Sequence, residues 1–341
     1  MKKLLSLILA LALVFMLAAC GSAPTAPAES KAPAAEPAAE KAPEAPAEKN
    51  WTIGVLYLDQ EVLMSECSAG CQAYAAEHPN VTLVEYNANK DVTAQLQQCE
   101  NLISQGVDAI AITPVDGNGC DQIISACADA KIPLICFHAR VNGAPITNIL
   151  FDNVGFGKLQ VDYAMEVFKA KGGDTSKPVN VAIVTGKLDN QNAVERCQGY
   201  DEGLANYNVN LVDQQVGSWN RDAAMAIAEN WIIGGEPIDI ILSNNDAMAI
   251  GISLAYTNAS VERPIIVGVG GTEEGLTAIM EGAFDGTVFQ PAYQNGYDGI
   301  DYTVQYLEGV ALNDTYVTAG TLVTPETAQA TLDELLAMLN G

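Results

Sequence analysis

The sequence predicts an α/β protein made of two doubly wound parallel-sheet lobes with a cleft between them. Three observations carry that expectation. From Thr52 onward, short runs that are apolar throughout, such as Ala109–Thr113, Leu134–Phe137 and Ile238–Leu242, alternate with segments of helical period. Strands of that kind, separated by helices, belong to parallel sheets covered on both faces. The alternation then passes through four or five such units twice, once in each half of the chain.

In the first half the strands fall at Ile53–Leu58, Val81–Tyr86, Ala109–Thr113 and Leu134–Phe137, with helices over 62–77, 92–105 and 118–129. Val92, Leu96, Cys99, Leu102 and Ile103 recur at helical spacing in the second of these. An extended run, Ile146–Phe151, precedes a helix from Gly155 to Lys171. In the second half the strands are Val181–Thr185, Val209–Gln214, Ile238–Leu242, Ile265–Val269 and Gly286–Phe289. Helices over 191–206, 221–233, 246–257 and 273–282 separate them. A helix from Gln290 to Leu307 follows, then an extended Tyr316–Val323. Thr324-Pro325-Glu326 opens a last helix with an N-cap and a proline at N1.

The first fifty residues are of another kind. Lys2 and Lys3, an apolar run from Leu4 to Leu17, and Leu17-Ala18-Ala19-Cys20 have the order of an export signal over residues 1–20. Residues 21–50 are almost entirely Ala, Pro, Glu, Lys and Ser, which cannot bury a core, so they read as a disordered tether. The chain has 42 acidic against 16 basic residues, for a formal charge of −26. That opposes binding to nucleic acid or to an anionic membrane surface.

Eight cysteines, no C-x-x-C pair and only two histidines argue against a zinc site. Buried thiols are expected after Cys20, with one or two disulfides open to an exported chain. Gly268-Val269-Gly270-Gly271-Thr272-Glu273 lies between strand and helix, but Glu273 replaces the third glycine of a dinucleotide fingerprint. Asp116-Gly117-Asn118-Gly119 begins like a calcium loop and then has Cys120 where an oxygen ligand belongs. Neither a catalytic constellation nor a cofactor or metal motif emerges, so no enzyme activity is expected.

Ser243-Asn244-Asn245-Asp246-Ala247-Met248-Ala249-Ile250-Gly251 joins a strand end to a small-residue helix, with Asp246 as the expected N-cap and Asn245 directed at the ligand. This stretch, Val267-Gly268-Val269-Gly270-Gly271-Thr272 and Arg196-Cys197-Gln198-Gly199-Tyr200 are the sharpest points of a resemblance. Over residues 51–325 the chain resembles the periplasmic sugar-binding proteins of the ribose and galactose/glucose type, the type I substrate-binding proteins of ABC importers. The resemblance implies lobes over 51–152 with 290–317 and over 153–289 with 318–341, joined by a three-crossover hinge. It also implies that Leu17-Ala18-Ala19-Cys20 is a lipobox, with Cys20 lipidated and the protein held as a monomer on the outer face of the cell membrane. A sugar or polyol-like ligand and an ABC permease are the implied partners. The alternative is a clamp that presents a sugar or autoinducer-like ligand to a membrane sensor kinase or chemoreceptor.

Matched residue by residue, Trp219 takes the place of the aromatic residue that stacks on the sugar, Asn245 that of the family asparagine, and Gln290 that of the hinge amide. His138 and Arg140 stand where the family has a polar pair, and Glu61 and Leu63 in the first loop over the ligand. The family carboxylate is replaced by Gly270 and a family arginine by Val194. Hydrogen bonds to charged groups contribute roughly 1.5–3 kcal/mol each, so the ligand is expected to differ from plain ribose or galactose. Asp189, Asn190, Gln191 and Asn192 are the candidate replacements, with Asn190 foremost.

Overall fold

A computed structural model describes residues 49–143 and 145–340. The export signal, Cys20 and residues 21–48 of the expected tether lie outside the described residues. In chain order the first half contains β1 (Trp51–Tyr57), α1 (Val62–Glu77), β2 (Val81–Asn87), α2 (Val92–Gln105), β3 (Ala109–Ile112), α3 (Asp121–Ala130), β4 (Leu134–Phe137) and β5 (Thr147–Phe151). The second contains α4 (Asn153–Ala170), β6 (Val179–Thr185), α5 (Gln191–Leu204), β7 (Val209–Val216), α6 (Arg221–Gly234) and β8 (Ile240–Ser243). It continues through α7 (Asp246–Ala259), β9 (Ile265–Gly270), α8 (Glu273–Met280) and β10 (Gly286–Phe289). The tail comprises α9 (Ala292–Leu307), β11 (Thr315–Thr318), β12 (Thr321–Val323) and α10 (Ala328–Asn340).

The strands form two six-stranded sheets, ordered β11-β5-β4-β3-β1-β2 and β12-β10-β9-β8-β6-β7. Every pairing is parallel except β10 with β12. Central strands are buried along their whole length, as in Ala109–Ile112 and Ile240–Ser243, which explains their unbroken apolar runs. The edge strands β2 and β7 are half exposed, and β7 accordingly carries Asp213, Gln214 and Gln215. The extended run expected as one piece is two strands, one in each sheet, and Thr324 begins a turn before α10 rather than capping it directly.

The chain passes between the sheets after β5, after β10 and between β11 and β12. The first and third passages touch, the Asp152 amide donating to the Thr318 carbonyl at 2.9 Å. Phe151, Phe156, Val269 and Val288 form a small apolar cluster there.

Glycines set the tightest helix crossings. A Cβ on Gly70 of α1 would overlap the Tyr293 carbonyl of α9, and one on Gly296 would overlap the Cys67 carbonyl in return. Gly157 and Gly199 bring α4 and α5 together in the same reciprocal way, against the Arg196 and Val154 carbonyls. Backbone meets backbone at these points, leaving no side chain to yield.

All seven cysteines of the described body are free thiols, so the disulfides left open by the sequence are absent among the described residues. Cys99 and Cys127 come closest to each other, at 3.6 Å between sulfurs. Only Cys197 is not fully buried. Burial, and then the nearby Asp201 charge, push its thiol up to about 11. Alkylation at pH 7 is therefore expected to be slow at every thiol of the native body and fast at all of them in urea, read by intact mass. Rapid modification of the native protein would contradict this packing.

Candidate functional site

The carboxyl ends of the parallel strands carry the candidate site. In open α/β sheets that edge gathers loops and helix N-termini, and ligands bind there. On the second sheet it is formed by Gly186 after β6, Asn244 and Asn245 after β8, Gly270 at the end of β9, and Gln290 after β10.

Arg196 of α5 ties these ends together. It is 3 % exposed. Its Nε donates to Asn153 Oδ1 at 3.0 Å, Nη1 to the Asn244 carbonyl at 2.5 Å and Nη2 to Gln290 Oε1 at 2.6 Å. Burial lowers it to about 10, which leaves it charged at neutral pH. Asn244 continues inward, donating to the Tyr200 hydroxyl, which donates to Gln160 Oε1. Gln160 in turn donates to the Ser243 and Val267 carbonyls. The Gln290 amide N–H donates to the Gly270 carbonyl at 2.9 Å. The passage after β10 is thus held by both its backbone and its side chain.

Trp219 follows β7 in left-handed backbone, φ 64, directly after Ser218 at φ 55. Non-glycine residues in that region cost about 1–3 kcal/mol each and persist where surrounding structure holds them. Here the indole lies over Gly186, where a Cβ would overlap it, and 5.6 Å from the Arg196 guanidinium carbon. Asn245 Nδ2 donates to the Trp219 carbonyl at 3.4 Å. His138, after β4 on the first sheet, is also left-handed, at φ 69. Burial, and then the Arg196 charge, lower its pKa to about 3, so the ring is a neutral imidazole. Its Nδ1 has no partner among the described residues. The ring packs edge-on against Phe151 at 5.4 Å.

The N-cap that the sequence assigned to Asp246 belongs to Asn245. Asn245, in extended backbone at φ −150, is the N-cap of α7, its Oδ1 accepting from the Met248 amide at 2.9 Å. Asp246 is not the cap. It is the first helical residue, 2 % exposed, and its carboxylate accepts from the Gly271 amide at 2.6 Å and the Thr287 hydroxyl at 2.6 Å. Either residue type caps well, and the buried donors of the β9 and β10 ends select the carboxylate. Burial raises Asp246 to about 6 against the lowering effect of those two donors. Its Oδ2 would lie 3.0 Å from a Cβ at Gly270, so a carboxylate does stand beside the position where the family's own is missing.

Gln290 and Trp219 thus rest on Arg196, and Asn245 joins them through the Trp219 carbonyl. Asn190 caps α5, accepting from the Asn192 amide at 2.9 Å. Arg140 is half-buried, its carbonyl packed on Gly117. Glu61 is exposed and paired with Lys90, and Leu63 packs against the core of the first lobe. Two residues were missed. Arg196 stood in a recognised motif without a role, and the signal for it was an arginine inside an otherwise buried Gly-Tyr helix face. Glu66 of α1 is 4 % exposed. Burial, and then the Asp246 charge, raise it to about 8. Its signal was a lone charge in α1 ahead of Glu77. No group of potential metal ligands occurs among the described residues.

A family model described as a periplasmic binding protein domain matches residues 55–311. The chain is 31 % identical over 268 residues to a xylitol-binding protein of Mycolicibacterium smegmatis, covering 78 % of this chain and 72 % of that one. It is 30 % identical over 257 residues to a putative rhizopine-binding protein of Rhizobium meliloti, covering 71 % and 80 %. Among solved structures it is similar to an ABC transporter solute binding protein from Bacillus halodurans with bound myo-inositol. That match has a TM-score of 0.76 and 28 % identity, over 84 % of this chain and 98 % of the other. With two sheets of one strand order, three passages between them and polar side chains converging at their carboxyl edge, the chain belongs to the periplasmic binding protein family of sugar-binding proteins.

Proposed function

We propose that this protein is the lipid-anchored substrate-binding component of an ABC importer, capturing a small sugar or polyol by closure of two lobes. The lobes are residues 51–152 with 290–317 and residues 153–289 with 318–341, and the lipid is carried by Cys20. The observation that carries the reading is the cluster of Trp219 and Gln290 on Arg196, with Asn245 bonded to the Trp219 carbonyl, at the carboxyl edge of the second sheet. The indole supplies a flat apolar wall for the C–H face of a ring or extended polyol. Beyond the Met248 amide and the Trp219 carbonyl, the Asn245 amide keeps one N–H and one lone pair for hydroxyls. Contacts from both lobes favour the closed state by their differential affinity, and the permease reads that state. No bond is made or broken, and the ligand leaves unchanged.

Calorimetric titration with xylitol, myo-inositol, ribose and related polyols tests the reading. A saturable heat for at least one ligand is expected, with ligand recovered intact after long incubation. Trp219→Ala should weaken that binding by about 2 kcal/mol, roughly thirtyfold. Absence of binding across the panel, or turnover of the ligand, would sink the proposal. Cys20→Ser should release the protein from cell membranes, and light scattering should give a monomer mass.

A further inference from the structure

Cys99, Cys120, Cys127 and Cys136 share one core, between the first sheet and helices α2 and α3. Two of them are provided for by backbone. The Cys136 thiol donates to the Ala139 carbonyl at 2.8 Å and the Cys120 thiol to the Asp116 carbonyl at 3.2 Å. Cys71 in α1 does the same with the Gly296 carbonyl, at 3.2 Å. Cys99 and Cys127 have no hydrogen-bond partner but each other among the described residues, sulfur to sulfur at 3.6 Å.

These two stand on different helices, Cys99 on α2 and Cys127 on α3, 28 residues apart in the chain. They are 0 % and 1 % exposed. A single buried thiol packs as a small hydrophobe. Two in contact across a helix pair have a further option, because a disulfide of ~2.05 Å needs an approach of only about 1.5 Å, shared between two side chains.

We infer that Cys99 and Cys127 are an oxidation site, a dithiol that closes to a disulfide as the body folds and straps α2 to α3. The free thiols described above are its reduced form, and fast alkylation of all of them in urea is expected of that form alone. The co-reactant is a disulfide, carried by an oxidase protein or by a small molecule such as oxidised glutathione. One cysteine, as thiolate, attacks a sulfur of that disulfide and releases half of it as a thiolate. The other cysteine then attacks the protein sulfur of the mixed disulfide and releases the second half. Two protein thiols become one disulfide, and the two thiols made from the oxidant carry off two electrons and two protons. The hydrogen bond from Cys99 lowers the pKa of the Cys127 thiol, which favours Cys127 as the first attacker. Both sulfurs are sealed in the folded core, so the oxidant reaches them before α2 and α3 close, and the finished bond is shielded from reductant. The outer side of the membrane, where the proposed location puts the body, is where such oxidants act. Ligand binding has no part in the inference, and its test stands apart from that of the polyol reading.

The test is refolding. Protein reduced in urea is diluted into buffer with reduced and oxidised glutathione, then denatured, alkylated and mapped by mass. Cys99 and Cys127 are expected to escape alkylation and to be found joined in the main product. Residues 91–131 form one tryptic peptide holding Cys99, Cys120 and Cys127, so cleavage after Glu100 and before Asp121 is added to show which pair is linked. The thermal midpoint of this product should lie about 5 °C above that of the reduced protein. Cys99→Ala should leave Cys127 open to alkylation and abolish the rise. Absence of a disulfide, links scattered over the cysteines, or Cys127 joined as readily to Cys120 in Cys99→Ala would overturn the site. A bond between Cys99 and Cys127 that lowers the midpoint would overturn the strap. Mapping of the parent protein needs no variant, so a Cys99→Ala protein that fails to fold still leaves the pairing decided.

Discussion

Arg196→Met is expected to destabilise the ligand-free protein by about 3 kcal/mol or more, because three buried acceptors lose a charged donor at once. Asn153 Oδ1, the Asn244 carbonyl and Gln290 Oε1 have no other described donor. Methionine matches the volume of the stem and returns none of the hydrogen bonds. That loss is a large fraction of the 5–15 kcal/mol that holds a typical domain folded, so the urea midpoint should fall markedly. Arg196→Lys should recover little, since one ammonium cannot span three acceptors set in a planar fork. A cost below about 1 kcal/mol would mean that burying the guanidinium consumes nearly all that its hydrogen bonds return. The same substitution should weaken ligand binding, because the Trp219 indole and the Gln290 amide both rest on this side chain.

Gly296→Ala is the second large effect, and it needs no chemistry beyond volume. The added methyl meets the Cys67 carbonyl in α1, with helix backbone on both sides. Helices α1 and α9 must separate, exposing part of the core that contains Cys71, Tyr74 and Ile300. Overpacking typically costs 1–3 kcal/mol, and backbone contacts fall at the upper end of about 3 kcal/mol. Gly70→Ala should cost a similar amount, and the two together should cost less than their sum, because one separation serves both. Gly234→Ala is the control. It ends α6, its Cβ would meet nothing closer than 3.5 Å, and alanine there should be neutral or stabilising by up to about 1 kcal/mol. Equal midpoints for Gly296→Ala and Gly234→Ala would show that the crossing is looser than it stands here.

The fold was legible because its signals are local. Unbroken apolar runs marked β3, β4, β8 and β9, and helical spacing marked α2. What was not legible depends on distance through space. Whether Asn245 or Asp246 caps α7 is decided by Thr287, 41 residues away. Arg196 meets Gln290 across 94 residues, and only the fold reveals that pairing. Tyr316–Val323 reads as a single extended run, because a period of two residues carries no information about which sheet a strand joins. Glu66 was passed over for the opposite reason. Its neighbours at 64, 67, 70, 71 and 74 are buried, and a charge beside such a face reads as solvated.

The two sheets share one further property, which concerns the order in which the chain is made. Each draws five strands from its own contiguous half, β1 to β5 and β6 to β10, and the sixth from the tail, β11 and β12. A chain delivered N-terminus first therefore leaves the first half waiting, with the edge of β5 open, until residues 315–318 arrive. The second half is completed only a few residues later, by 321–323. Open parallel edges invite pairing with other chains, so a product cut short before residue 315 is expected to self-associate rather than yield a competent first lobe. Neither lobe completes its sheet without a strand from residues 315–323.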